Sequence, residues 1–139
     1  MWKKGDKLTK EDLKNLFYLE KEIKCKEEQL AELYSLAEKT TSSSRAHRGT
    51  NRASDRIGET ASLIADLKAD LEKSYSLLLN AKKAAMKEIS RISDINRRLV
   101  LEKRYLLRLP WVKIAAEMNY SLDHIYTLHR RAINHLEHM

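Results

Sequence analysis

The stretch LEKRYLLRLPWVKIAAEMNYSLDHIYTLHRRAINHLE, residues 101–137, combines apolar spacing, a proline, a turn residue and a cap in one register. Pro110 suits the first position of a helix, where its missing N–H has no intrahelical partner to lose. The helix it would open reads PWVKIAAEM, residues 110–118. Asn119 and Tyr120 make a turn, because Asn tolerates a left-handed backbone better than any residue but Gly. Ser121 then caps a second helix over about 121–138. Ala115 places a small side chain where two steeply crossed helices approach closest. Ile114, Met118, Tyr120, Ile125 and Leu128 fall at the positions that should face a shared core. This pattern predicts a helix-turn-helix, whose second helix lies in the major groove of duplex DNA.

Upstream, Ser93 and Asp94 resemble an N-cap for a helix running from 94 to about 108, with Leu99, Val100 and Tyr105 inward. Earlier still, Thr9 and Asp12 have capping-box spacing. They lead an apolar stripe of Leu13, Leu16, Leu19, Ile23, Leu30, Leu33 and Ala37, which predicts one amphipathic helix over 9–39. Residues 40–55, TTSSSRAHRGTNRASD, lose all large apolar side chains and read as a loop whose Arg45, Arg48 and Arg52 are solvated. A second stripe (Ile57, Ala61, Ile64, Leu67, Leu71, Tyr75, Leu78, Ala85, Ile89 and Ile92) predicts a helix over 56–92. The expected fold is all-α: a long antiparallel helical hairpin over 1–92, then a helix-turn-helix domain over 93–139. With 3 Gly and 1 Pro among 139 residues, a turn-rich β fold is excluded. A two-helix hairpin buries little area by itself. It is expected to form a homo-oligomer or to lean on the C-terminal part.

The formal net charge is +7 and the pI is about 9.5, a sign that suits phosphate. Its distribution is more informative. Residues 1–39 hold nine Lys against nine acids, whereas residues 80–109 hold nine Lys and Arg against three acids. Arg91, Arg97, Arg98, Lys103, Arg104 and Arg108 lie in the basic stretch and are candidate phosphate contacts.

Other chemistries find little support. A lone Cys25 excludes an intramolecular disulfide and a cysteine-based zinc site. His124, His129, His135 and His138 crowd the last helix, but two ligands three apart without a third make a poor metal site. They read as histidines of a solvated or DNA-facing surface, while Trp111 and Tyr120 read as core. No phosphate-binding Gly loop, metalloprotease motif or nucleophile context occurs. The expectation is therefore a binding protein, not an enzyme, with no catalytic residue, metal or cofactor. No apolar run reaches the roughly 18 residues of a membrane span. The lysines of MWKKGDKLTKEDL are not followed by an apolar segment, so no signal peptide and no membrane partner are expected and a cytoplasmic location is.

Residues 101–137 resemble the fourth conserved region of bacterial sigma factors. The matching elements are Leu101, Arg104 and Tyr105, then Ile114, Ala115, Ser121 and Ile125, then Arg131, Ala132 and Leu136. The whole chain is similar to short phage and prophage regulators of the ArpU and RinA late-gene activator group. It shares with them a Ser-rich interruption (Ser42 to Ser44) followed by Asp55-Arg56-Ile57-Gly58-Glu59 and Ser62-Leu63-Ile64-Ala65-Asp66-Leu67. This resemblance implies sequence-specific binding of double-stranded DNA and regulation of phage or prophage genes in a bacterial host. It assigns DNA reading to Ser121, Leu122, Asp123, His124, Tyr126 and Thr127, with Arg130 and Arg131 toward the backbone. Arg97, Arg98, Arg108 and Lys113 complete the expected contact set. Sigma factors carry Arg at several of the places held here by Leu122, His124 and Tyr126, which implies a target other than the ordinary promoter element. Host RNA polymerase is a further candidate partner.

Two alternatives share the same sequence features. One is a small terminase-like subunit that recognises DNA for a phage packaging machine. The other is a protein-interaction module that captures RNA polymerase or a sigma-type partner through the hairpin.

Overall fold

The computed structural model describes residues 7–46 and 51–138, and side chains within them except at 41–46 and 51–54. These residues are all-helical, with no strand among them: α1 (Lys10–Ala46), α2 (Asn51–Ile89), α3 (Ile95–Leu101), α4 (Trp111–Met118) and α5 (Leu122–Glu137). A π-helical turn, Glu102–Leu106, extends α3.

Helices α1 and α2 encroach on the loop expected at 40–55 from both sides. The segments 40–46 and 51–55 contain neither Gly nor Pro, and Ser, Thr and Arg each cost a helix at most about 0.7 kcal/mol relative to Ala. Loss of apolar side chains there does not mark an end of helix. The remainder of the expected loop, 47–50 with Arg48, lies outside the described residues. So do the side chains of Arg45 and Arg52. At its other end α2 stops at Ile89, three residues before the expected 92. The Ser90 hydroxyl donates to the Lys87 carbonyl at 2.7 Å, competing with helix continuation.

Start signals read from the sequence reappear as hydrogen bonds. The Thr9 N–H donates to Asp12 Oδ2 (2.9 Å) while the Asp12 N–H donates to Thr9 Oγ1 (3.2 Å), a reciprocal cap. Asp94 Oδ1 accepts from the Arg97 N–H at 3.1 Å and caps α3. The helix expected to continue to about 108 instead changes pitch at Glu102, where the Leu107 N–H reaches back five residues to the Glu102 carbonyl at 3.0 Å. Arg108, at φ 59°, then reverses the chain.

The described residues form two compact units. One comprises Met1–Leu19 with Leu78–Met139, the other Glu20–Leu77. This division differs from the boundary expected at 92/93, because the first turns of α1 and the last turns of α2 belong with the C-terminal helices. Leu8, Leu13, Leu16, Ala85, Ile89 and Ile92 pack in one core with Leu101, Tyr105, Ala132, Ile133 and Leu136. Lys10 completes the closure, its backbone N–H donating to Glu137 Oε1 at 3.2 Å.

In the unit Glu20–Leu77 the two helices run antiparallel. Lys26 Nζ donates to Ser74 Oγ (3.2 Å), the Tyr75 hydroxyl to Glu27, and Lys68 Nζ lies 5.3 Å from the Tyr34 ring centre. Ile23, Leu71 and Ser74 are its buried side chains among those described, and Leu30, Leu33, Ile64 and Leu67 are half-buried.

Candidate nucleic-acid interface

The candidate site is built on α4, the turn after it and α5. Pro110 precedes α4 in an extended conformation (ψ 149°) and is its cap residue, one position earlier than expected. The turn rests on Asn119, at φ 58° and ψ 40°, a left-handed conformation that few side chains tolerate. It lets the Tyr120 N–H reach the Ala115 carbonyl (3.1 Å) and the Asn119 N–H the Ala116 carbonyl (3.4 Å), which satisfies the last carbonyls of α4. Two residues on, Ser121 Oγ accepts the His124 N–H at 3.1 Å and starts α5. Two helix ends are thus resolved within three residues.

Beneath the turn, Val100, Ile114, Ala115, Ile125 and Leu128 form a second core, with Leu109, Trp111 and Met118 packed against it. Of the residues expected inward, Tyr120 departs. It is exposed, its ring centroid lies 4.5 Å from that of His124, and its hydroxyl accepts from Asn96 Nδ2 at 3.2 Å. A phenol needs a hydrogen-bond partner, and one exists at the rim but not in this apolar core.

With Ile125 and Leu128 buried, the outer face of α5 presents Ser121, Leu122, Asp123, His124, Tyr126, Arg130 and Arg131 to solvent. Their exposure is common to all; their orientation is not. At the helical period, Asp123, Thr127 and Arg130 share one side, and His124 and Arg131 lie beside it. Leu122 and Tyr126 fall on the other flank, where the Tyr126 ring packs edge-on against Trp111 at 5.5 Å. Thr127 is half-buried, and its hydroxyl donates to the Asp123 carbonyl at 3.1 Å. Lys113, on α4, is exposed.

The basic stretch is less available than its charge suggests. Arg98 donates to the Ile92 carbonyl (3.0 Å) and lies 3.8 Å from Glu102. Lys103 pairs with Glu117 at 3.4 Å, and Arg91 with Glu88 at 3.3 Å. Arg104 sits 5.1 Å from the Phe17 ring centre and 4.4 Å from that of Trp111, and donates to the Leu109 carbonyl at 3.1 Å. This guanidinium holds the core together and is not placed for phosphate. Arg97 is half-buried, and Arg108 is exposed at the left-handed reversal.

His129 stands apart from the surface histidines with which the sequence groups it. The Tyr105 hydroxyl and its Nε2 share a hydrogen bond of 2.7 Å, and its ring meets Trp111 edge-on at 4.8 Å. Burial, with lesser repulsion from Lys10 and Arg104, pushes its pKa down to about 4, so the ring is neutral at pH 7. Burial raises the Tyr105 phenol to about 12 against the opposing pull of Arg104. The signal was present in the spacing, since Ile125, His129, Ala132, Ile133 and Leu136 share one helical face. Among the described residues no group of three His, Cys, Asp or Glu side chains could hold a metal ion, and no helix is long and apolar enough to cross a membrane.

A family model described as "Protein of unknown function (DUF1492)" matches residues 35–137. No curated protein and no solved structure matches the chain.

Proposed function

We propose that this chain, which belongs to the DUF1492 family, is a sequence-specific duplex-DNA-binding regulator and not an enzyme. The observation that carries the reading is the left-handed Asn119 followed by the Ser121 cap, which closes α4 and opens α5 while Ile125 and Leu128 are buried. That junction leaves a polar helix face standing clear of the core, the feature a major-groove reader requires. Asp123, His124 and Arg130 are suited to base edges, Arg131, Arg97 and Lys113 to phosphates. Thr127 contributes through its methyl group, since its hydroxyl is turned onto the helix. The resemblance of residues 101–137 to the fourth sigma region supports the same placement. It extends the reading to phage or prophage genes in the cytoplasm of a bacterial host.

Assembly follows from the unit Glu20–Leu77. Its described side chains leave Tyr34, Leu36, Ile57, Leu63 and Leu77 exposed over a thin core. A second copy of the same chain would cover them, making the hairpin an oligomerisation arm.

The deciding experiment is selection of bound duplexes from a random pool by the full-length protein without polymerase. The expected result is one enriched motif, whose preference at one or two base pairs relaxes in His124→Ala. A good base contact is worth ~1–3 kcal/mol of discrimination. Recovery of no enriched sequence would overturn specific DNA recognition and turn attention to a protein partner.

A further inference from the structure

We infer that a hollow between α3 and α5 is a binding site for a phosphate group, supplied by the DNA backbone beyond the base pairs being read. The hollow has a volume of about 400 Å³ and is lined by Arg97, Arg131, Asn134, His135 and His138. In naming the duplex as the source, this inference rests on the function proposed above.

The lining is cationic and polar, with no carboxylate in it. Two arginines from different helices line it, and the planar fork of a guanidinium matches the oxygens of a phosphate. Their availability sets them apart from neighbouring cations. Arg98, Lys103 and Arg104 are each engaged by a carboxylate, a carbonyl or an aromatic ring, as described above. Among the described residues Arg97 and Arg131 have no carboxylate within ion-pair distance. Asp94 Oδ1 accepts the Arg97 backbone N–H and Glu137 Oε1 the Lys10 N–H, and neither carboxylate forms an ion pair with Arg97 or Arg131. His138 Nδ1 donates to the Asn134 carbonyl at 2.8 Å, which fixes that ring in the lining. The last turn of α5 opposes an anion with a partial charge of about half an electron, which two full guanidinium charges outweigh.

Position relates the hollow to the reading surface. His124, Arg131, His135 and His138 are spaced seven, four and three residues apart, so they follow one flank of α5. At ~1.5 Å per residue, Arg131 and His135 lie about 10–16 Å along the helix from His124. A strand whose bases meet His124 would bring a phosphate to Arg131 a few nucleotides on.

The test uses the full-length protein, a short random-sequence duplex and inorganic phosphate. Duplex affinity is measured across salt concentrations for Arg97→Gln, Arg131→Gln and a control, Lys24→Gln, in the hairpin. The histidine Hε1 resonances of the folded protein are followed during phosphate titration. The expected result is about tenfold weaker duplex binding for each hollow variant at low salt, with the salt slope reduced by about 0.9 and the melting temperature and control unchanged. Phosphate should shift His135 and His138 in the wild type and not in Arg131→Gln. If phosphate shifts these resonances but no duplex binds, the phosphate site stands with a free phosphorylated ligand as its source and the DNA reading falls. If duplex binds with the same affinity and slope in both variants, and phosphate moves neither histidine, the hollow is not a phosphate site and the DNA reading stands. If the wild type binds no duplex and phosphate moves neither histidine, both readings fall.

Discussion

His129 is the residue at which chemistry and packing are most tightly joined. Its neutral ring is hydrogen-bonded to the Tyr105 hydroxyl and lies against Trp111, and its pKa is pushed down from 6.5 to about 4. The unfolded chain therefore binds a proton that the folded one refuses between those values. The associated stability is fully present above about pH 6.5 and is lost as pH falls toward 4. Solvent screening at a partly exposed ring limits the loss to the order of 2 kcal/mol. Thermal melts of the wild type should show a falling midpoint across that window, with a shallower fall for His129→Gln. Identical slopes would place the acid sensitivity in other groups. His129 reads as a surface histidine when grouped with its neighbours on α5; its helical spacing carries the signal of burial, but not the identity of its partners. Tyr105 lies on a π turn and Trp111 follows a left-handed reversal, and neither feature leaves a periodic signature.

Junctions between elements were the most legible part of the chain, because they are made by neighbours in sequence. Thr9 with Asp12, Asp94, Asn119 and Ser121 each perform the local task their residue type suggests. Tyr120 illustrates the limit. Its apolar ring fitted the core pattern, yet its hydroxyl found Asn96 at the rim. Substitutions at the α4–α5 junction should separate turn, core and surface. Asn119→Ala should cost about 1–2 kcal/mol through left-handed strain, whereas Asn119→Gly should be close to neutral. Ile125 is fully buried, so Ile125→Ala should cost ~2–5 kcal/mol. Ala115→Leu should destabilise too, by forcing α4 and α5 apart. His124→Ala, at an exposed position, should leave the melting temperature within the scatter of surface substitutions. Tolerance of Ile125→Ala together with unfolding by His124→Ala would mean that α5 is rotated and its faces are exchanged.

At the scale of the molecule, the division of the chain was the least legible feature. Helix periodicity marks which face of α1 and α2 is apolar, but not what each length of that face covers. Leu13, Leu16, Ala85 and Ile89 continue the same stripes that pair the helices farther along, yet they close over Ala132, Ile133 and Leu136 of α5. A fragment beginning at Ser93 reads as a domain in the sequence, but it lacks Leu8, Leu13, Leu16, Ala85, Ile89 and Ile92, six of the eleven buried residues of the core they share with Leu101, Tyr105 and the back of α5. At ~1.5–3 kcal/mol for each large apolar side chain whose burial is lost, the loss is comparable with the ~5–15 kcal/mol by which small domains are stable. The fragment should therefore show no cooperative melt. A chain in which residues 31–70 are replaced by a short Gly-containing turn keeps every one of those side chains. It should melt cooperatively and, if the hairpin is the assembly arm, sediment at the mass of one copy. A cooperative melt from the Ser93 fragment would show that the ends of α1 and α2 are dispensable to the core they complete here.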